Sequence, residues 1–194
     1  MNYIFKQTNM KKIILSFAAA LVTSLTFAQD WALDKAHSHV GFTIVHLKIS
    51  EVDGTFGKFD AKMTSSKDDF SDAVFDFSAE TASVNTGNDR RDNHLRSDDF
   101  FGAEKNPAIT FKSTSVTKVS GNNYKITGNL TMKGVTKPIT LDAVFRGPIE
   151  GRGGKKIVGI KASGTLNRID FGVGTSGPTV DDEVTLKISG EFSK

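Results

Sequence analysis

The chain predicts an all-β protein, an eight-stranded antiparallel barrel with a short helical insert, and three observations point there. Apolar and polar residues alternate from Val40 to the C-terminus, and the apolar set is rich in β-branched and aromatic side chains, as strands with one buried face require. Gly- and Asn-rich breaks recur at hairpin intervals. One dense polar stretch, Thr86 to Phe101, interrupts the alternation. A sheet of about eight strands with one apolar face buries that face and removes its edges by closing on itself. Eight strands close around an interior just wide enough for one small ligand. A two-sheet sandwich is the alternative.

Taken in order, the strands are expected over roughly 39–48, 54–64, 71–84, 109–119, 123–132, 138–146, 156–167 and 184–193. Val40, Phe42, Ile44 and His46 share one parity on the first strand, so His46 points inward with them. Phe75, Phe77 and Ala79 share a face, as do Tyr124, Ile126, Leu130 and Met132. The same holds for Ile139, Leu141, Ala143 and Phe145, and for Val184, Leu186, Ile188 and Phe192. Gly121-Asn122-Asn123, Lys133-Gly134, Gly147-Pro148 and Glu150 to Gly154 supply the turns. In the polar stretch Asn88 or Thr86 is the N-cap of a short helix, with Asp89 and Asp92 in a first turn where negative charge suits the dipole.

Residues 1–28 read as a secretory signal peptide, because Lys6, Lys11 and Lys12 precede an apolar run from Ile13 to Phe27 that ends at Ala28. That run is about 15 residues, short of the roughly 20 that a spanning helix needs, and no later segment is apolar enough to cross a bilayer. Met10 is a second candidate start. Residues 29–194 then form one domain of about 166 residues, enough for one good core. The +3 formal charge resides in the three leader lysines, so the remainder is neutral and gives no support for nucleic-acid binding. With no cysteine, an exported chain has neither disulfides nor a thiol nucleophile.

Gly172 to Gly177 matches G-x-G-x-x-G, yet Pro178 and a charged turn follow where a nucleotide fingerprint needs a helix. His37-x-His39 puts two imidazoles on one strand face, with His46 and His94 elsewhere; a capping role suits the pair better than a metal. The pairs Asp68-Asp69, Asp98-Asp99 and Asp181-Asp182 fall in turn-like contexts. No G-x-S-x-G, Walker or H-E-x-x-H pattern occurs. These features support no catalytic residues, cofactor or metal. Arg90, Arg91 and Arg96, with Asn88, Asp92 and His94, concentrate donors suited to phosphate or carboxylate; surface pairs such as Asp92 with Arg96 are the alternative.

One set of motifs covers nearly the whole chain in order, beginning with Asp34-x-x-His37-Ser38-x-Val40-x-Phe42 with His46, and with Gly54-x-Phe56-x-x-Phe59. It continues through Thr86-Gly87-Asn88, Arg91-Asp92-x-His94-Leu95-Arg96-Ser97-x-Asp99-Phe100 and Asn106-Pro107-x-Ile109-x-Phe111-x-Ser113-Thr114. Gly128-x-Leu130-Thr131-x-x-Gly134-Val135-Thr136-Lys137-Pro138, Arg168-x-Asp170-Phe171-Gly172 and Asp182-Glu183-Val184 complete it. Together these motifs resemble the YceI-like family of exported proteins, and the resemblance implies a lipocalin-like barrel in the periplasm that holds a polyisoprenoid or other long-chain apolar lipid.

The sequence-level expectation is therefore a lipid-binding barrel without catalytic activity, lined by Phe42, Ile44, Phe75, Phe77, Phe111, Leu130, Leu141, Phe145 and Phe171. His46 is either a satisfied core histidine or a polar ligand contact, and Asn88, Arg91 and Asp92 sit at the mouth near a head group. Its 15 Phe against two Tyr and one Trp suit a greasy cavity. The alternatives are a lipid hydrolase or isomerase using His46 or His94 as base, and an interaction module with a collapsed core. Homodimer formation is left open.

Overall fold

The computed structural model describes residues 29–194; the expected signal peptide lies outside the described residues. Ten strands run β1 (Gln29–His46), β2 (Ser50–Phe56), β3 (Phe59–Ser65), β4 (Val74–Glu80), β5 (Val84–Asn85), β6 (Ala108–Ser120), β7 (Asn123–Met132), β8 (Val135–Glu150), β9 (Lys156–Asn167) and β10 (Val180–Ser193), with helix α1 (Asp89–Arg96) between β5 and β6. All pairings are antiparallel, in the order β10-β9-β8-β7-β6-β4-β3-β1, and β1 pairs back onto β10 to close the barrel. β2 and β3 act as one broken strand along β1, β2 on its C-terminal half from Gly41 to His46 and β3 on Gln29 to Ala32. Counted that way the barrel has eight strands, with β5 a short appendage on β2.

The observed boundaries differ from expectation where pairing, not alternation, sets the end. β1 begins ten residues before position 39 because Trp31 and Leu33 still have partners on β3 and β10. The expected 71–84 strand stops at Glu80, where Thr81–Ser83 form a single 3-10 turn. Strand 54–64 is broken at Gly57-Lys58. α1 starts where expected: the Asn88 side chain accepts a hydrogen bond from the Arg91 N–H at 3.0 Å, and Asp89 and Asp92 occupy the first turn.

Inward glycines make room for the rings. Gly54 lies directly across from Phe42, and Gly128 sits on β7 diagonal to Phe111; a Cβ at either position would collide with the neighbouring phenyl ring.

The two ends are built differently. At the end holding Gln29 and Lys194, the β3–β4 connection folds inward and inserts Phe70, which is 2 % exposed and holds a left-handed φ of 55°. Its ring meets Trp31 at 5.4 Å and Phe145 at 5.6 Å, and Phe145 stacks on Tyr124 at 4.3 Å. The connection is tied down by Asp72, which accepts from Ser65 Oγ at 2.7 Å and from the Ser66 N–H and hydroxyl at 2.9 and 2.5 Å. Tyr124 adds a hydrogen bond from its hydroxyl to the Asp69 carbonyl at 2.8 Å. Burial alone would raise the Asp72 pKa, but these hydroxyl and N–H donors outweigh it and hold the carboxyl well below its ordinary value. This end is an aromatic plug.

Candidate functional site

Above the plug the barrel is hollow. A cavity of about 860 Å³ runs from a floor at Phe75 and Phe192 to a mouth framed by α1, the Ser97–Ala103 segment, the β1–β2 turn and the strap from Val173 to Val180. Its wall carries Phe42, Ile44, Phe77, Phe111, Leu130 and Leu141, with Val184, Leu186 and Ile188 from β10. Polar groups concentrate toward the rim, where His46, Thr86, Arg91, His94, Asp99 and Arg168 contribute, and Ser189 of β10 borders the lumen farther down. The lumen is thus apolar in depth and polar at one end, because each strand contributes every second residue inward and the connections supply the rim.

Most expected contacts lie on this surface: Phe42, Ile44, His46, Phe75, Phe77, Arg91, Phe111, Leu130 and Leu141 line the cavity. Phe145 and Phe171 do not. Phe145 has the inward parity expected of it but sits at plug height, packed among Phe70, Phe75 and Tyr124. Phe171 lies beyond the end of β9 in a 3-10 turn, Arg168–Phe171, which rotates it off the lumen wall into packed core at 2 % exposure. Asn88 and Asp92 are also off the lumen. Asn88 caps α1. Asp92, only 4 % exposed, accepts from the Thr86 N–H at 2.9 Å and the Thr86 hydroxyl at 2.5 Å.

The arginines of the insert are largely engaged in shaping it. Arg91 donates from Nε to Thr86 Oγ1 at 2.7 Å and from Nη2 to the Thr86 carbonyl at 2.9 Å. The alternative surface pair of Asp92 with Arg96 is not formed, since Arg96 binds the carbonyls of Ala82 and Val84 at 2.8 and 3.0 Å and so fastens α1 to the segment that leads into it. Arg90 is exposed, and its side chain has no hydrogen bond or ion pair among the described residues.

Arg168, absent from the expected site, organises the mouth. Its side chain is 5 % exposed and donates to the carbonyls of Asp181, Val173, Thr175 and Val180 at 2.8, 2.8, 3.0 and 3.1 Å, and to Asp182 Oδ1 at 3.2 Å. A buried charge needs such saturation. The strap is its partner, and Ser176 steadies Asp182 at 2.6 Å. The signal was present: Ile160, Ala162, Gly164 and Leu166 set an inward parity that Arg168 continues, and an inward arginine demands acceptors. Lys133 closes the neighbouring corner by donating to the carbonyls of Asp98 and Gly172 at 2.9 and 2.8 Å.

The histidines do not converge. His37 Nδ1 lies 2.8 Å from Asp34 Oδ2 on the outer surface, near Glu191; that hydrogen bond is the main cause raising the His37 pKa and lowering that of Asp34. His46 and His94 stand at the lumen mouth instead, and His94 Nε2 is 3.3 Å from Asp99 Oδ2. No helix among the described residues is long and apolar enough to cross a membrane.

The chain is a closed antiparallel β-barrel with a deep, largely apolar lumen and a polar rim. The chain belongs to the YceI-like family: the YceI-like domain matches residues 31–192. Protein YceI of Salmonella newport is 40% identical over 187 residues, covering 94% of this chain and 97% of that protein. The crystal structure of the Campylobacter jejuni YCEI protein superposes with a TM-score of 0.71 at 40% identity, covering 86% of this chain and 98% of that one. A polyisoprenoid binding domain from Saccharophagus degradans shares the fold, with a TM-score of 0.58 at 14% identity over 84% of this chain and 97% of that one.

Proposed function

We propose that the protein binds a polyisoprenoid or similar long-chain apolar lipid in the barrel lumen and carries it through the periplasm after export and cleavage behind Ala28. The observation that supports this most is the cavity of about 860 Å³, lined almost entirely by apolar side chains between its Phe75–Phe192 floor and the rim. The polyisoprenoid-binding description of the Saccharophagus degradans relative is in keeping with it. At about 0.8 kcal/mol per buried CH₂, each five-carbon isoprene unit contributes roughly 3 to 4 kcal/mol before ordering costs, so the tail sets affinity. Strands of about ten residues tilted near 40° make a barrel roughly 25 Å tall, and a long prenyl chain must bend or protrude.

In this reading Phe42, Ile44, Phe75, Phe77, Phe111, Leu130 and Leu141 hold the tail, and His46 and Arg91 face the head group. Asn88 and Asp92 act on the head group only by fixing the Thr86–Arg91 geometry. The reading is one of binding rather than turnover: the His94–Asp99 pair is 60% and 79% exposed at the rim, open to bulk water and away from the enclosed part of the lumen. Organic extraction and mass spectrometry of protein purified from the native periplasm is the test. A prenyl or comparable long-chain lipid in near-stoichiometric amount is expected, with an intact mass beginning at Gln29. Polar cargo, or a lumen that also fails to take up a prenyl alcohol in titration, overturns the reading.

A further inference from the structure

The β1–β2 turn is made of residues that neither the core nor turn chemistry explains. Leu47 and Lys48 hold left-handed φ angles of 51° and 63°, a pair of positions for which Asn-Gly is the ordinary occupant. Non-glycine residues there carry strain, greatest for large apolar ones. Leu47 is nevertheless 50% exposed and Ile49 84% exposed. Two large aliphatic side chains therefore flank a lysine at the tip of a hairpin, in water, at the cavity's open end. The tip is joined to the mouth: the Leu47 N–H donates to the Thr179 carbonyl of the strap at 2.8 Å, Lys48 pairs with Asp181, and His46 lines the lumen one residue away. Arg90, without a partner among the described residues, adds a cation on α1, which frames the same mouth.

We propose that Leu47 and Ile49 insert into the surface of a phospholipid bilayer and seat the lumen mouth against it, so that apolar cargo passes between membrane and cavity without crossing water. The inference rests on the lipid-binding reading above for its cargo, though not for the contact itself. An aliphatic pair at an interface gains from the apolar boundary, while the flanking Lys48 and nearby Arg90 sit at head-group level beside lipid phosphates. Because the inserted tip is hydrogen-bonded to the strap that Arg168 holds, docking and opening act on the same segment.

The test pairs the wild-type protein with a Leu47→Asn/Ile49→Thr variant and a Val119→Thr control, Val119 being a 59% exposed residue at the plug end. Asparagine suits the left-handed position, so the double variant is expected to melt no lower than wild type. Sedimentation with phosphatidylcholine vesicles, with and without phosphatidylglycerol, is expected to show wild type and Val119→Thr bound. The double variant is expected to bind at least about tenfold more weakly on both compositions. Its uptake of a prenyl alcohol from detergent-free solution stays unchanged. Absence of wild-type binding, equal binding by the double variant, a loss confined to anionic vesicles, or an equal loss in Val119→Thr overturns the proposal. A tip that alters only the oligomeric state in analytical ultracentrifugation also overturns it, in favour of a contact between copies. Vesicle binding without any prenyl uptake would sink the lipid-carrier reading while leaving the membrane contact standing.

Discussion

The two ends of this barrel use the same strands to opposite effect. At the plug end Trp31, Phe70, Tyr124 and Phe145 interlock ring against ring, and nothing is left to fill. At the mouth end Phe42, Phe77 and Phe111 present their rings to open space. The difference is not one of composition, since both are phenylalanine-rich. It arises from one connection, the loop between β3 and β4, which turns inward and spends backbone strain at Phe70 to close its end. At the other end the connection between β9 and β10 is held across the rim by Arg168 through polar bonds to its backbone. An end packed by rings is rigid; one strapped by hydrogen bonds can open without exposing a core.

That contrast breaks most visibly at Phe145. Phe145→Ala is expected to lose about 3 to 5 kcal/mol of unfolding free energy in denaturant titration, with little change in affinity for a lumen ligand. Phe77→Ala should do the reverse, costing much less stability because its ring already borders a cavity, while weakening a prenyl alcohol measured by calorimetry. Equal stability losses at the two sites would mean the lumen is as tightly packed as the plug.

Arg168→Met removes the strap's anchor and leaves several carbonyls short of donors, for an expected loss of about 2 to 4 kcal/mol. Hydrogen exchange should quicken across Val173–Val180 and not in the plug. Uniform acceleration would show that Arg168 supports the whole barrel.

The plug has a pH signature of its own. Asp72 is held below the ordinary carboxylate value of 3.8, so the unfolded chain binds its proton more tightly than the folded one. Its stabilisation is complete above that ordinary value and is lost as pH falls toward the depressed folded value. Wild-type melting temperature should therefore drop between about pH 5 and pH 2, and Asp72→Asn should start lower at pH 7 and fall less steeply. Parallel curves would remove Asp72 from the account of the plug.

The smallest effect is at the rim. Arg91→Ala is expected to weaken a prenyl phosphate by about three- to tenfold, as suits an exposed charge-assisted contact, and to spare the matching prenyl alcohol. Equal losses for both would assign Arg91 to holding Thr86 alone.

Strand alternation determined much of this protein by itself. It placed the inward faces of β4, β7 and β10, because side chains of a strand must alternate across the sheet, while capping chemistry offered Asn88 or Thr86 as the N-cap and the helix takes Asn88. Parity carries no information about height along the barrel, so Phe145 was assigned to the lumen although it belongs to the plug. Parity also ends with the strand, which is why Phe171, carried round by a 3-10 turn, left the wall. Only the closed structure decided that Asp92 and Arg96 bond to Thr86 and to backbone carbonyls instead of each other, and that Arg168 holds the strap. Those partners lie only 5 to 14 residues away, but in irregular turns whose path neither strand nor helix periodicity describes, and a buried polar group takes whatever acceptor that path supplies.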